Sequence, residues 1–197
     1  MTDRVIVSAA AGEHYINLQK RTLNACFEYT AGADCRFKQL DNWKYEYKVD
    51  AILEAARDFR FILWTDVSFQ PVASMEVIWR HIEDHGWLVP KQGDSKLGVW
   101  TSDDALLDYG ITRDEAMNIP LCFSGLVGLD MNDSHARLIL QRWDSIWLRS
   151  TFAGPHYNRP GEPFKPMGNK STGHCSSDPR CEGHRHDESA ISFVLWT

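Results

Sequence analysis

Two segments, far apart in the sequence, hold residue types that can do chemistry. In the first, Phe59-Arg60-Phe61-Ile62-Leu63-Trp64-Thr65-Asp66-Val67-Ser68-Phe69, an apolar run ends on a carboxylate. Phe61 to Trp64 reads as a short strand buried on both faces. Asp66 falls just past its C-terminal end, where ligands bind in open α/β sheets. A carboxylate there can hold a hard divalent cation, and the cation a diphosphate; equally, Asp66 can cap the turn or helix that follows. In the second segment, Gly183-His184-Arg185-His186-Asp187-Glu188-Ser189, two imidazoles and two carboxylates gather at the start of a helix. They can complete a metal site or position an acceptor hydroxyl, or form a solvated helix start whose acids complement the helix dipole. A further cluster, His174-Cys175, Cys181, His184 and His186, contains common zinc ligands. It lacks a Cys-x-x-Cys pair, so zinc at Cys175, Cys181 and His184, a local disulfide and free thiols all stay open.

These residues need a frame. Strand-like and helix-like patterns alternate over the first two thirds of the chain. Arg4 to Ala9 predicts a strand, followed by a small-residue turn at Ala10-Ala11-Gly12. His14 to Tyr29 predicts an amphipathic helix with Tyr15, Leu18, Leu23, Cys26 and Phe27 inward. Cys35 to Leu40 follows as a strand, and Tyr47 to Arg57 as a helix with Val49, Ile52, Leu53 and Ala56 inward. After the Phe61 strand, Pro71 to His85 predicts a third helix stopped by Gly86. Trp87 to Val89 reads as a short strand and Gln92 to Trp100 as loop. Ser102-Asp103-Asp104 caps a short helix through Tyr109, and Thr112-Arg113-Asp114-Glu115 carries a capping-box pattern. Leu121 to Leu129 reads as one strand or two, bent at Gly125. Asn132-Asp133-Ser134 caps a helix from His135 to Ser150. Phe152 to Glu182, rich in Pro, Gly, Ser, His and Cys, is a long irregular segment, and such loops are functional or disordered. A final helix spans His186 to Trp196. The alternation predicts one α/β domain over residues 1–197, a three-layer α/β/α sandwich on a single, mostly parallel central sheet.

Bulk properties narrow the classes. The 197 residues are 43% hydrophobic and 24% charged, ordinary for a globular domain with one sizeable core. A net charge of −6 argues against broad nonspecific nucleic-acid binding. A local basic groove from Arg149, Arg159, Lys165, Lys170, Arg180 and Arg185 is the exception to look for; its alternative is a solvated loop. No apolar run approaches the ~20 residues of a membrane span. No leader pattern precedes Val5-Ile6-Val7, so the expected location is the cytoplasm. Cys26, Cys35 and Cys122 then read as reduced, mostly buried thiols.

Taken in order, strand-end Asp66, the glycine-bent Phe123-Ser124-Gly125-Leu126-Val127-Gly128, and terminal His186-Asp187-Glu188-Ser189 resemble the nucleotide-sugar glycosyltransferases of GT-A type. The likeness covers roughly Arg4 to Leu195. It implies that Ala9, Ala10 and Ala11 let a nucleotide approach the first turn closely. It implies that Lys48, Asp66 and Ser68 face the donor and that Asp66 and His186 hold Mn2+ or Mg2+. It further implies that Ser124, Gly125, Asp187 and Glu188 meet the acceptor, with Asp187 as base. Ser68 stands where the second acid of an Asp-x-Asp motif would be, so the motif is degenerate. The expected function is sugar transfer from a UDP- or GDP-sugar, metal-assisted, to a glycan, lipid carrier, protein or modified nucleic acid. The rival is a non-catalytic binding module of the same fold with structural zinc in the His/Cys-rich loop.

Overall fold

The computed structural model describes residues 3–40, 47–166 and 170–197. The chain resolves into two compact units, one reaching to Pro90 and resuming over Gly125–Gln141, the other formed by Lys91–Ser124 with Arg142–Thr197.

The first unit is built on a five-stranded sheet. Val5, Ile6 and Val7 start β1 (Arg4–Ala11), whose side chains are buried on both faces after Arg4. β1 pairs in parallel with β2 (Asp34–Leu40) on one side and with β3 (Phe61–Thr65) on the other. β7 (Leu126–Asp130) runs antiparallel to β3, and the short β4 (Trp87–Leu88) closes the sheet against β7. The order is β2-β1-β3-β7-β4. Four strands share a direction and β7 alone is reversed, as a mostly parallel sheet requires. Helix α1 (Glu13–Tyr29) connects β1 to β2, and α2 (Tyr47–Ala55) lies between β2 and β3. These two right-handed crossovers run in opposite directions, so the helices cover opposite faces. That explains why β1 and β3 are buried on both sides and gives the three layers.

Several local expectations shift. β1 continues through Ala11, so Ala10 and Ala11 are strand residues and only Gly12, at φ 79°, makes the turn. The buried stripe of α1 is Gln19, Thr22 and Cys26, while Tyr15 and Phe27 face outward. Thr22 Oγ1 donates to the Val67 carbonyl at 2.7 Å, so a polar contact sets the rotation of this helix. Helix α3 starts at Glu76, not Pro71, and ends at His85. Met75 N–H is already committed to the Tyr29 carbonyl, and the Trp79 indole to the Thr30 carbonyl. Gly86 caps α3 in the left-handed conformation, as its position predicts. Gly128 in β7 allows close packing, because a Cβ there would lie 2.5 Å from Ile82 Cδ1.

Helix α6 (Ser134–Trp147) carries the chain out of this unit, with Ala136, Ile139, Leu140, Trp143 and Ile146 buried. Asp133 caps it by accepting from Ala136 N–H at 2.9 Å.

In the second unit, β5 (Lys91–Lys96) pairs antiparallel with β6 (Pro120–Cys122). Most of the expected Gln92–Trp100 loop is therefore strand. Helix α4 (Asp103–Tyr109) is capped by Ser102 Oγ, and α5 (Arg113–Ala116) by the full Thr112/Glu115 capping box. Leu97, Leu106, Ala116, Ile119 and Leu121 form its core, with Trp100, Ile111 and Phe193 packed against them. Of the one strand or two expected over Leu121–Leu129, the structure has two, β6 and β7, which lie in different sheets and part at 123–125. The irregular segment holds one small parallel pair, β8 (Tyr157–Asn158) with β9 (Thr172–Gly173); its positions 167–169 lie outside the described residues. The last helix is α7 (Asp187–Trp196). Among the described residues, no helix is long and apolar enough to cross a membrane.

Candidate functional site

In the first unit, the chain after β3 exposes Asp66. Its backbone N–H is fixed by the Gly125 carbonyl at 2.8 Å, and its own carbonyl accepts from Phe69 N–H at 2.8 Å. The side chain does not enter the core; it is 35% exposed. Its Oδ1 accepts from the Trp64 indole N–H at 2.8 Å and lies 3.2 Å from the Lys48 ammonium. Lys48, on the first turn of α2, is 5% exposed and sits 5.4 Å from the centre of the Trp64 ring. Two side chains, from β3 and α2, thus hold one carboxylate oxygen from behind. The carboxylate is preorganised at the C-terminal end of a central parallel strand, where an incoming group rich in O–H or N–H donors can meet it. Ser68 is exposed in the turn that follows. Ala9, Ala10 and Ala11 are buried strand residues paired with Lys38, Gln39 and Leu40 of β2, which replaces the turn expected of Ala10 and Ala11.

A divalent cation needs several oxygen ligands at once. Asp66 offers one carboxylate whose charge Lys48 already balances, and Ser68 supplies no second acid. An ammonium about 4 Å from such a divalent cation would oppose it by about 8 kcal/mol at an effective dielectric of 20. Among the described residues, no group of three or more His, Cys, Asp or Glu side chains could hold a metal ion. The side chains at this strand end therefore do not fit a resident Mn2+ or Mg2+.

In the second unit, α7 begins with the strained residue His186, at φ 45° and ψ −105°. That region is rarely occupied by a residue with a Cβ. The next residue, Asp187, is 5% exposed, and its Oδ2 accepts from Ser124 Oγ at 2.7 Å. The family resemblance implied that both residues face the acceptor; the structure brings the two side chains into contact. Gly125 belongs to the first unit, where its carbonyl serves Asp66. Glu188 is half-buried on the first turn of α7.

Three imidazoles surround this helix start. The His184 and His186 rings are 5.3 Å apart, and those of His156 and His186 are 6.2 Å apart. Burial first, and then the neighbouring imidazoles, push His186 down to about 3, with Asp187 opposing the fall. Burial likewise lowers His184 and His156 to about 4. All three are therefore neutral at pH 7 around the buried Asp187. His156 was not singled out from sequence; it lies in the irregular segment with no local pattern to mark it.

Several other candidates have structural duties. His184 Nδ1 accepts from Ser102 N–H at 3.2 Å, and its Nε2 lies 2.8 Å from the Phe152 carbonyl. Both ring nitrogens are spoken for, which leaves no lone pair for zinc. Cys175 and Cys181 do come together, with Sγ atoms 3.8 Å apart. Arg149 pairs with Asp108 at 3.0 Å, Lys165 with Glu162 at 3.4 Å, and Arg180 with Asp178 and Asp114 at 2.7 and 2.8 Å. The Arg185 guanidinium stacks over Trp100 at 4.1 Å. Three of the six basic residues of the possible groove are thus taken up in local ion pairs.

No family model and no curated protein matches the chain. Among solved structures it is similar to an apo bifunctional glycosyltransferase, WbbM, at 9% identity and a TM-score of 0.49. It is also similar to the galactosyltransferase LgtC in complex with donor and acceptor sugar analogues, at 13% identity and a TM-score of 0.45. These alignments cover 73% and 75% of this chain and 34% and 64% of those chains, so the chain spans less than two thirds of either. At such identities and scores neither likeness carries any chemistry to this chain.

Proposed function

We propose that the chain is a glycosyltransferase that uses a nucleotide-diphospho-sugar. The observation that carries this reading is the fixed, part-exposed carboxylate of Asp66 at the end of β3, backed by Lys48 and Trp64. Its exposed oxygen accepts hydrogen bonds from donor hydroxyls. Lys48 acts as a positioning residue and as a source of positive field for the diphosphate, without a metal ligand set. The preformed Ser124–Asp187 pair supports a second role. The acceptor hydroxyl attacks the anomeric carbon while the bond from that carbon to the diphosphate oxygen breaks. The hydroxyl proton passes to Asp187, and the nucleoside diphosphate leaves. Ser124 orients the base, and the neutral histidines around it keep the carboxylate in a low-dielectric setting. The acceptor is a hydroxyl compound, and the paired state of Arg149, Lys165 and Arg180 supports a neutral one over a nucleic acid.

The test is to incubate the protein with UDP- and GDP-sugars, with Mn2+ and with EDTA, and follow thermal stability and donor hydrolysis. Stabilisation by one nucleotide family, lost in Asp66→Ala, supports the reading. No stabilisation by any nucleotide under either condition overturns it.

A further inference from the structure

The second unit contains a pair of buried thiols that the proposed transfer does not use. Cys175 and Cys181 are 9% and 5% exposed, and their sulfurs are 3.8 Å apart. A disulfide needs about 2.05 Å between sulfurs. The remaining approach of roughly 1.7 Å lies within a side-chain rotation. The backbone between them is already folded back. Asn158 Nδ2 donates to the Ser176 and Cys181 carbonyls at 2.9 and 3.1 Å, and Asn158 Oδ1 accepts from Cys175 N–H at 3.0 Å. Asp103 N–H holds the Cys175 carbonyl, and Glu182 N–H donates to the Val99 carbonyl, so both ends of the segment are tied down. Ring closure therefore costs little further chain entropy.

One of the two sulfurs is also within reach. Cys175 lines a cavity of about 460 Å³ whose other walls include Ser102, Asp104, Asp108, Thr151 and Pro155. A space of that size admits a small-molecule disulfide. Cys181 is not part of that lining. The hydrogen bond from Cys175 first, then the nearby Arg113, hold the Cys181 thiol down to about 7, despite burial. It is the better thiolate of the two at neutral pH.

We infer that Cys175 and Cys181 are a redox modification site: they form a reversible intrachain disulfide by exchange with a small-molecule disulfide that enters through the cavity. Cys175 passes its proton to the Cys181 thiolate 3.8 Å away, and the Cys175 thiolate so formed attacks one sulfur of that disulfide, breaking its S–S bond and releasing one thiolate, which takes the proton back from Cys181. The Cys181 thiolate then attacks Cys175 Sγ, forming the protein disulfide and releasing the second. The two protons lost by the cysteines end on the two released thiols. The small disulfide is reduced and the cysteine pair is oxidised.

The experiment equilibrates the intact protein in mixed oxidised and reduced glutathione, quenches by alkylation, and maps peptides by mass. The expected product is a linked Cys175–Cys181 peptide, with the melting temperature raised by about 5 °C from ring closure. In Cys181→Ser, Cys175 accumulates as its glutathione mixed disulfide, because the resolving thiol is gone. In Cys35→Ser the linked peptide still forms, which separates this pair from Cys26 and Cys35, the mutually hydrogen-bonded thiols of the first unit. Both thiols remaining alkylatable in excess oxidised glutathione overturns the inference. So does stoichiometric zinc released by their alkylation, or a linked peptide that lowers the melting temperature.

Discussion

Acid is expected to unfold this protein through His184. The ring is fully buried between the Ser102 N–H and the Phe152 carbonyl, which it serves as acceptor and donor respectively. A second proton would land on Nδ1 and face the Ser102 N–H, donor against donor, at the N-cap of α4. In the unfolded chain the imidazole titrates near 6.5; burial lowers it to about 4 in the fold. Between those values the unfolded state binds more protons, so stability falls as pH falls. The contribution is fully present above about 6.5 and is lost as pH drops through 4. Each tenfold in proton affinity is about 1.4 kcal/mol, and two and a half such steps make about 3 kcal/mol. That is a large part of the roughly 5–15 kcal/mol by which domains are stable. The assay is urea unfolding at pH 7.5, 6, 5 and 4.5, for the wild type and for His184→Gln. Glutamine can accept from Ser102 N–H and donate to the Phe152 carbonyl without titrating. The variant is expected to lose about 2.5 kcal/mol less than the wild type across that range, since the last of the loss falls below pH 4.5. His156 and His186, also depressed by burial, leave it a residual slope. Identical pH slopes in the two proteins would refute the argument.

The other expectations are briefer. Chelation by EDTA leaves nucleotide-induced stabilisation unchanged; stabilisation seen only with Mn2+ contradicts the ligand-set argument at Asp66. Asp187→Asn lowers donor hydrolysis by about 10²–10⁴-fold with donor affinity intact, and an unchanged rate removes Asp187 as the base. Gly183→Ala fails to fold or loses several kcal/mol, because its Cβ would collide with the His156 carbonyl, a backbone atom with little freedom to yield; a melting temperature near that of the wild type shows that the packing there is looser than drawn. His186→Gly is more stable than His186→Ala by about 1 kcal/mol, since only glycine accepts φ 45° without strain. Denaturation midpoints of the two variants in the wrong order contradict this.

The parts of the fold readable in sequence are those where one local rule decides. The uninterrupted apolar run Phe61 to Trp64 could only be a buried strand, and its sharp end put Asp66 at the sheet's edge. Gly86, Ser102 and Thr112 announced helix boundaries through backbone chemistry that acts within a few residues. The reading failed where tertiary contacts overrule such rules. Tyr15 and Phe27 looked like the inner face of α1, yet Thr22 anchors to Val67 and turns them outward. Lys91 to Lys96 has no apolar alternation, because β5 gains its place by pairing with β6. The same holds for the site. Asp187 and Ser124 were visible as acceptor-side residues, but their contact joins a helix start to a loop 63 residues away. His156 gave no signal at all, since only the fold of the irregular segment brings it to His186. The clamp on Asp66 was half visible: Lys48 was named, whereas the Trp64 indole read as core.

The most direct measurement is a calorimetric titration of UDP- and GDP-sugars into the wild type, Lys48→Met and Asp66→Ala, all in EDTA. The account predicts metal-free binding of one nucleotide family by the wild type. It predicts affinity about tenfold to a hundredfold weaker in Lys48→Met, where the carboxylate is no longer held, and no detectable binding in Asp66→Ala. Binding of equal strength in all three proteins, or none in the wild type, would contradict it.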